Sequence, residues 1–485
     1  MAKTDKEYVK ELTRREEDYS QWFIDLVRKT GMADYTMVKG CMVIKPYGFA
    51  LWENLRDALD RRIKETGHQN ACFPLFVPES LLKKEAEHVE GFAPECAWVT
   101  RAGNDELEEP LAIRPTSEAI IGSIYSEWIQ SYRDLPVLIN QWANVVRWEK
   151  RTRLFLRTAE FQWQEGHTCH RTAEEAQEET MKMLEVYREF LETELAIPAV
   201  AGIKSAAERF AGASETYTVE ALMSNGWALQ AGTSHNLGQH FAKAFDIKFL
   251  DADNQTKYVW QTSWGVSTRL IGGVIMTHSD NFGLRLPPRV APYQAVIIPI
   301  TFGKPTDAPV VEKAREIFQM LKGSGVRVTL DDRDHLKPGF KYNEWEMRGV
   351  PVRIELGPKD IEKQQCVLVN RATREKLFTP LAELAGRMTP LLEEIQAALL
   401  KQARDFRDAH MTRVTSYEEF QAALEQPGGF VGGPFCGDAD AEGRIKEETK
   451  ATLRCYPLAQ PADAAGPCFM TGKPAQKVAW FARAF

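Results

Sequence analysis

The stretch VVRWEKRTRLFLRTAEFQWQEGHTCH, Val145–His170, decides how the chain is read. It predicts two strands joined by a short basic connection. Val137–Trp148 is rich in β-branched and aromatic residues, Leu154–Trp163 is similar, and Glu149–Arg153 bridges them. Strand side chains alternate between faces, so Arg147 and Glu149 share one. Arg157 follows on the returning strand, with Trp163, Glu165 and His167 at alternating positions beyond it. Two arginines, two carboxylates and an aromatic wall on one face suit a phosphorylated substrate, because a guanidinium offers planar, paired donors to phosphate or carboxylate. An isolated RWExR is more often a solvated charged hairpin, and other segments must decide.

Four of them do. RWE followed by FLRTAEFQWQEGH resembles motif 2 of a class II aminoacyl-tRNA synthetase, in the form found in prolyl-tRNA synthetases. GHQNACFPLFVPES (Gly67–Ser80) resembles motif 1, and RPTSE (Arg114–Glu118) the family's proline-binding signature. QAGTSHNLGQ (Gln230–Gln239) and TSWGVSTRLIGG (Thr262–Gly273) resemble the segment before motif 3 and motif 3 itself. The resemblance runs from roughly Glu16 to the C-terminus. It implies an α+β class II catalytic domain, a mixed antiparallel sheet with helices, over residues 1–285. An α/β anticodon-binding domain over 286–400 and a small α+β C-terminal domain over 401–485 would follow.

The implied activity is ligation of proline to tRNA(Pro), with ATP and magnesium. The resemblance gives Thr116, Glu118, Arg147, Trp163, Glu165, His167, Phe92, Phe210 and His235 to the proline pocket. It gives Arg147, Glu149, Arg157, Thr158, Gln230, Thr233, Ser267 and Arg269 to ATP. Arg147, Arg157 and Arg269 would carry the charge that develops during reaction. Lys341, Arg348 and Arg353 are the candidates for tRNA contact, against the competing reading of a solvated charged face. A homodimer built on motif 1 is also implied. Many bacterial prolyl-tRNA synthetases carry an editing insertion between motifs 2 and 3; about sixty residues separate His170 from Gln230, which leaves no room for it. Relatives place four zinc-binding cysteines as C-x4-C and C-x2-C. Here the pairs read Cys436-GDAD-Ala441 and Cys468-FM-Thr471, so no structural zinc is expected. The rival reading is a non-catalytic class II synthetase-like tRNA-binding or regulatory protein. Such a relative should have lost phosphate-binding arginines, and Arg147, Arg157 and Arg269 are all present.

Local patterns add detail. Tyr47–Gly67 predicts a helix, with Trp52, Leu55, Leu59 and Ile63 at helical steps, and Cys72–Val77 a strand. Thr116–Trp128 predicts a helix whose T-S-E start is also a good capping signature. The methionines of the amphipathic helix Ala173–Thr193 read as core filling. Thr233 and His235 read as part of a Gly-flanked turn. Glu87–Val99, broken by Gly and Pro, reads as a loop able to close over substrate. Leu286–Pro292 reads as a linker into an α/β alternation, from strand Ala295–Pro299 to strand Val367–Asn370, with a helical region over Thr379–Met411.

Bulk properties narrow the setting. The chain has 485 residues, 44% hydrophobic and 27% charged, as expected of an ordinary globular protein of about three domains. A net charge of −7 means an RNA partner must be met by local basic patches. The first 20 residues are charged throughout and no 18-residue apolar run exists, so neither a signal peptide nor a membrane span is expected. Eight scattered cysteines form no small disulfide framework. A cytoplasmic protein that binds tRNA, not DNA or membrane, is expected.

Overall fold

The central hairpin forms, with its second strand starting six residues later than the sequence pattern predicts. In the computed structural model, which describes residues 12–88, 95–304 and 307–485, Val137–Val146 pairs antiparallel with Glu160–His170, not with Leu154–Trp163. Leu154, Phe155 and Leu156 are all buried, and Phe155 has φ +60°. A continuous apolar run does not by itself distinguish a strand from another buried segment. Here three consecutive side chains anchor an irregular connection in the core.

Around this hairpin lies an eleven-stranded sheet. From one edge it runs Met411–Arg413, Phe430–Pro434, Val478–Ala482, Thr452–Pro457, Ala199–Ile203, Glu215–Leu222, Ala228–Gly238, Trp260–Ser267, Glu160–His170, Val137–Val146 and Gln69–Asn70. Only the two edge pairings are parallel. The helix Ala173–Thr193 packs across it, burying Met183, Leu184, Tyr187 and Phe190. Its start is a full capping box between Thr172 and Glu175. Pro46–Glu65 buries Leu51, Trp52, Leu55, Leu59 and Ile63 in the same core, so its apolar stripe is used within its own chain.

Other expectations shift. Cys72–Val77 is not one strand; Gln69–Asn70 and Phe76–Pro78 flank an irregular stretch through Pro74. Thr233 and His235 lie within the strand Ala228–Gly238, not in a turn. Glycine there serves close packing, since a Cβ at Gly232 would lie 2.9 Å from Val266. The predicted loop Glu87–Val99 falls partly outside the described residues, and Phe92 with it.

A second, five-stranded sheet orders Val328–Leu330, Ala295–Pro299, Val352–Leu356, Gln365–Asn370 and Lys376–Pro380. The first three strands pair in parallel, with helices Ala308–Gly323 and Pro338–Met347 in the crossovers, and the last two return antiparallel. The long helix is Leu384–Ala409, and Thr379 belongs to the strand before it. The C-terminal strands do not make a separate layer. Tyr456 and Pro457 pair with Ile203 and Gly202, which fuses the end of the chain to the large sheet. Among the described residues no helix is long and apolar enough to cross a membrane.

Candidate active site

A cavity of about 290 Å³ opens on the face of the large sheet, over the strands that carry the quoted stretch. Thr116, Glu118, Arg147, Trp163, Glu165, His167, Phe210, Gln230, Thr233, His235, Ser267 and Arg269 line it together. Five separate segments thus converge on one place, those on neighbouring strands because their alternation matches.

One end is a buried carboxylate network. The T-S-E sequence does not cap its helix: Glu118–Trp128 begins after Ser117, whose side chain makes no cap bond. Instead Thr116 donates to the Glu118 carboxylate and Ser117 to Glu165. Glu165 Oε1 also accepts from Gln141 Nε2 at 2.7 Å, and Oε2 meets His167 Nε2 at 3.0 Å. Burial alone would raise the Glu165 pKa, but these hydrogen bonds and the His167 charge bring it below the ordinary value. Burial alone would lower the His167 pKa, but the bond to Glu165 and its charge lift it above. The two therefore form an ion pair. His235 differs: burial and the His167 charge push its pKa down to about 3, so it is neutral, with Nδ1 3.0 Å from Thr216 Oγ1 and its ring 4.7 Å from that of Phe210.

The other end is cationic. Arg147 Nε donates to Pro115 O at 2.9 Å, and its guanidinium lies over Trp163 at 5.3 Å and Phe161 at 5.7 Å. Burial lowers its pKa, while Glu118, Glu165 and Glu149 support its charge. Arg269 opens the helix Arg269–His278 and donates through Nε to Leu156 O at 3.1 Å. The helix start packs tightly against that segment, since a Cβ at Gly272 would lie 2.5 Å from Leu156 Cδ2. Burial, with the charges of Arg147, Arg157 and Arg454, pulls the Arg269 pKa to about 10. Cations crowded this way are suited to an anion with several charges, at a helix N-terminus that also favours one.

Arg157 and Glu149 stand outside the cavity, in an adjoining cleft with Arg147, Lys150 and Arg151, and pair at 3.1 Å. Thr158 is buried and donates to Glu160 O at 2.8 Å. Lys341 requires correction: it is 1% exposed and spent on Asp331 O at 3.0 Å, so it is not placed to meet RNA. Its helix turns that position inward, beside Trp345. Arg353 pairs with Glu355 at 2.8 Å under Tyr342, and Arg348 with Glu344 at 3.0 Å. Sequence reasoning passed over Ser117, Gln141, Glu208, Thr216 and Trp264, all in the cavity wall or its support. Alternation could have found Thr216 once the strands were known, but not Trp264, which pairs with Gly166 and turns its ring to the other face; the cross-strand partners of Glu165 have no local signal.

At the C-terminus Cys436 Sγ lies 3.4 Å from Thr471 Oγ1, and Asp438 is held by Lys473 Nζ at 2.6 Å. Two thiols, a hydroxyl and an occupied carboxylate do not fit the closed, tetrahedral Cys/His shell of a structural zinc. Among the described residues no three His, Cys, Asp or Glu gather as a metal cage.

Comparison with known proteins agrees with this geometry. The family model of the class II tRNA synthetase core domain (G, H, P, S and T) matches residues 98–278, that of the anticodon binding domain 294–389, and that of the prolyl-tRNA synthetase C-terminal domain 417–485. The chain is 57% identical over 487 residues to a proline–tRNA ligase of Natranaerobius thermophilus, and 57% over 490 residues to one of Symbiobacterium thermophilum, each covering 100% of both chains. A crystal structure of prolyl-tRNA synthetase from Cryptosporidium parvum, complexed with halofuginone and AMPPNP, superposes with a TM-score of 0.92 at 41% identity, over 98% of this chain and 99% of that one. The chain belongs to the prolyl-tRNA synthetases, the proline–tRNA ligases of class II.

Proposed function

We propose that this cavity binds L-proline and ATP side by side, joins them as prolyl-adenylate, and passes the prolyl group to the 3′ end of tRNA(Pro). The observation that carries the assignment is the polarity of one cavity, with the buried Glu118–Glu165–His167 network at one end, Arg269 at the other and Arg147 between them. In this reading Glu118 and Thr116, both in the cavity wall, accept from the secondary ammonium of proline. Trp163 and Phe210, with neutral His235 behind Phe210, wall the apolar ring. Arg147, between Glu118 and the cationic end, meets both the proline carboxylate and the α-phosphate. Arg269 and Arg157 take the outer phosphates; Gln230, Thr233 and Ser267 line the nucleotide side, and Thr158 supports it from behind.

The proline carboxylate is ionised at neutral pH, so its attack on the α-phosphorus needs no general base. The protein's work is positioning and charge stabilisation. Magnesium typically uses one or two carboxylates plus substrate phosphates, and Glu149, partly exposed beside Arg157, fits that role. The ion would neutralise charge on the leaving pyrophosphate. Lys150 and Arg151 offer local positive charge for the tRNA end, whereas Arg153 donates to Ser20 Oγ at 3.0 Å and lies over Phe485. Arg348 and Arg353 remain candidates for contact elsewhere on the tRNA, with their side chains already paired.

We propose 1–285, 286–400 and 401–485 as the functional division, with the first and last units sharing a sheet. A homodimer is supported by the hairpin Ala33–Tyr35 with Met42–Ile44. It exposes Tyr35, Met37, Val38 and Val43, an apolar patch of the kind that marks interfaces. Eight free thiols support a reducing, cytoplasmic setting. Proline-dependent ATP–pyrophosphate exchange tests the reading, with serine, threonine, alanine and cysteine as comparisons. Highest kcat/KM with proline is expected; no exchange with any of the five would overturn it.

A further inference from the structure

Behind the ATP side of the cavity lies a charged triad that the reaction as described does not use. Glu220 is fully buried, on the strand Glu215–Leu222. Its Oε1 accepts from Lys204 Nζ at 2.8 Å and from Thr218 Oγ1 at 2.8 Å. Its Oε2 accepts from Arg454 Nε at 2.9 Å and lies 2.8 Å from a terminal nitrogen of the same guanidinium. The Lys204 and Arg454 side chains are 2% and 8% exposed. Arg454 comes from Thr452–Pro457, the C-terminal strand that joins the large sheet.

Register places the triad on the working face. Thr216, Thr218 and Glu220 alternate along their strand, so they point the same way. Their cross-strand partners are His235, Thr233 and Gln230, all of which line the cavity. Glu220 thus lies directly across from Gln230, beside the cavity floor, where the pairing of the two strands shifts register. The charges of Glu220 and Arg454 both register at Arg269.

One carboxylate held by two cations carries a net positive charge. Without Arg454 the group would be neutral, with Oε2 of Glu220 left without its partner and Lys204 the one cation left, on Oε1. We propose that Arg454, supplied by the C-terminal region, is a positioning residue for ATP: by saturating Glu220 it keeps that carboxylate from competing for Arg269 and leaves the floor beneath the phosphates net positive. The inference rests on the assignment of this cavity to ATP and proline. It also gives the C-terminal region a part in the first half-reaction, in which tRNA has no role.

Steady-state exchange on the full-length protein tests it, with KM for ATP and for proline measured separately. Arg454→Met should raise KM for ATP by roughly three- to tenfold, the effect of one unit charge acting across a partly screened interior, and leave KM for proline within about twofold of the parent. Arg454→Lys should restore the parent value. The double variant Glu220→Gln with Arg454→Met should stay near the parent, because Lys204 then supplies the same net charge although both contacts are gone. Lys204→Met, which removes one cation from the catalytic side, should act like Arg454→Met and serves if that variant does not fold. A KM for ATP unchanged in both single variants would overturn the proposal. So would equal rises for ATP and proline, or a double variant as impaired as Arg454→Met, which would show a structural brace. An inactive parent would instead overturn the assignment of the cavity itself.

Discussion

Arg147 is held from several sides before any substrate arrives. Pro115 O fixes its Nε, Phe161 and Trp163 lie against its guanidinium, and Glu118 and Glu165 stabilise its charge. Truncating a buried, hydrogen-bonded charge partner typically costs about 2–5 kcal/mol. Arg147→Ala should therefore slow proline-dependent exchange by roughly 30- to 4,000-fold while the protein stays folded. Activity within about threefold of the parent would remove Arg147 from the reaction. The Glu165–His167 pair makes a prediction in pH. His167 has a raised pKa in the fold, so its contribution to stability is full below the ordinary imidazole value and is lost as pH rises through the folded one. Glu165 has a lowered pKa, so its contribution is present above the ordinary carboxylate value and is lost as pH falls through the folded one. The pair should thus be worth most between about pH 4.3 and about pH 6.5. A proton NMR titration should place the His167 midpoint above that of a free imidazole. Glu165→Gln should lower it, since only the Glu118 charge would then oppose burial; an unmoved midpoint would mean the pair is not formed.

At the scale of elements, the strand Glu160–His170 shows how backbone and pocket constrain each other. Trp264 lies across Gly166, and a Cβ there would sit 2.1 Å from its ring. On the face of the sheet away from Glu165 and His167, Trp264 meets His68 edge-on at 5.0 Å and Tyr187 at 6.4 Å, so it has no free direction to move and an added methyl would shift the strand that holds those two residues. Gly166→Ala should cost about 1–3 kcal/mol, as overpacking does, and should raise KM for proline more than KM for ATP. Thermal melts and exchange kinetics on one preparation check both, and a variant with parental Tm and KM would show that the ring can yield. The alternation of Trp163, Glu165 and His167 was legible in the sequence, and it survives in the structure. The start of the strand was not, because Leu154–Leu156 is apolar whether it forms a strand or an anchored loop. The T-S-E signature misled for a related reason. Local spacing shows that a side chain can cap a helix, not that a carboxylate 48 positions away will claim Ser117 first.

For the molecule as a whole, the large sheet carries the active site and binds the end of the chain into the same fold. In its C-terminal part, Phe420, Phe435, Phe469 and Phe481 pack ring against ring, with centroids 5.0–5.8 Å apart, where a metal clip would otherwise hold the loops. Metal analysis of purified, untagged protein should find well under one zinc per chain, and a chelator should leave Tm unchanged. Stoichiometric zinc, lost with stability in Cys436→Ser, would contradict this. The interval from His170 to Gln230 is filled by the helix Ala173–Thr193 and two strands of the large sheet, which are part of the catalytic architecture.

Order and chemistry of the motifs belonged to the sequence alone. RWE, the T-S-E segment, G-T-S-H and the S-T-R-L-I-G-G run were enough to indicate a class II synthetase core and most of the cavity wall. That is because strand alternation and residue type are local properties, and a shared binding task keeps them in order along the chain. What only the tertiary structure decided are the pairings made across long separations. Gln141 and Ser117 are turned onto Glu165, Lys341 is turned inward onto Asp331, and Arg454 reaches Glu220 from 234 positions away. No spacing rule reports such contacts. A buried charge takes whichever partner folding brings within reach, and here folding brought the C-terminal strand beside the one that carries Glu220.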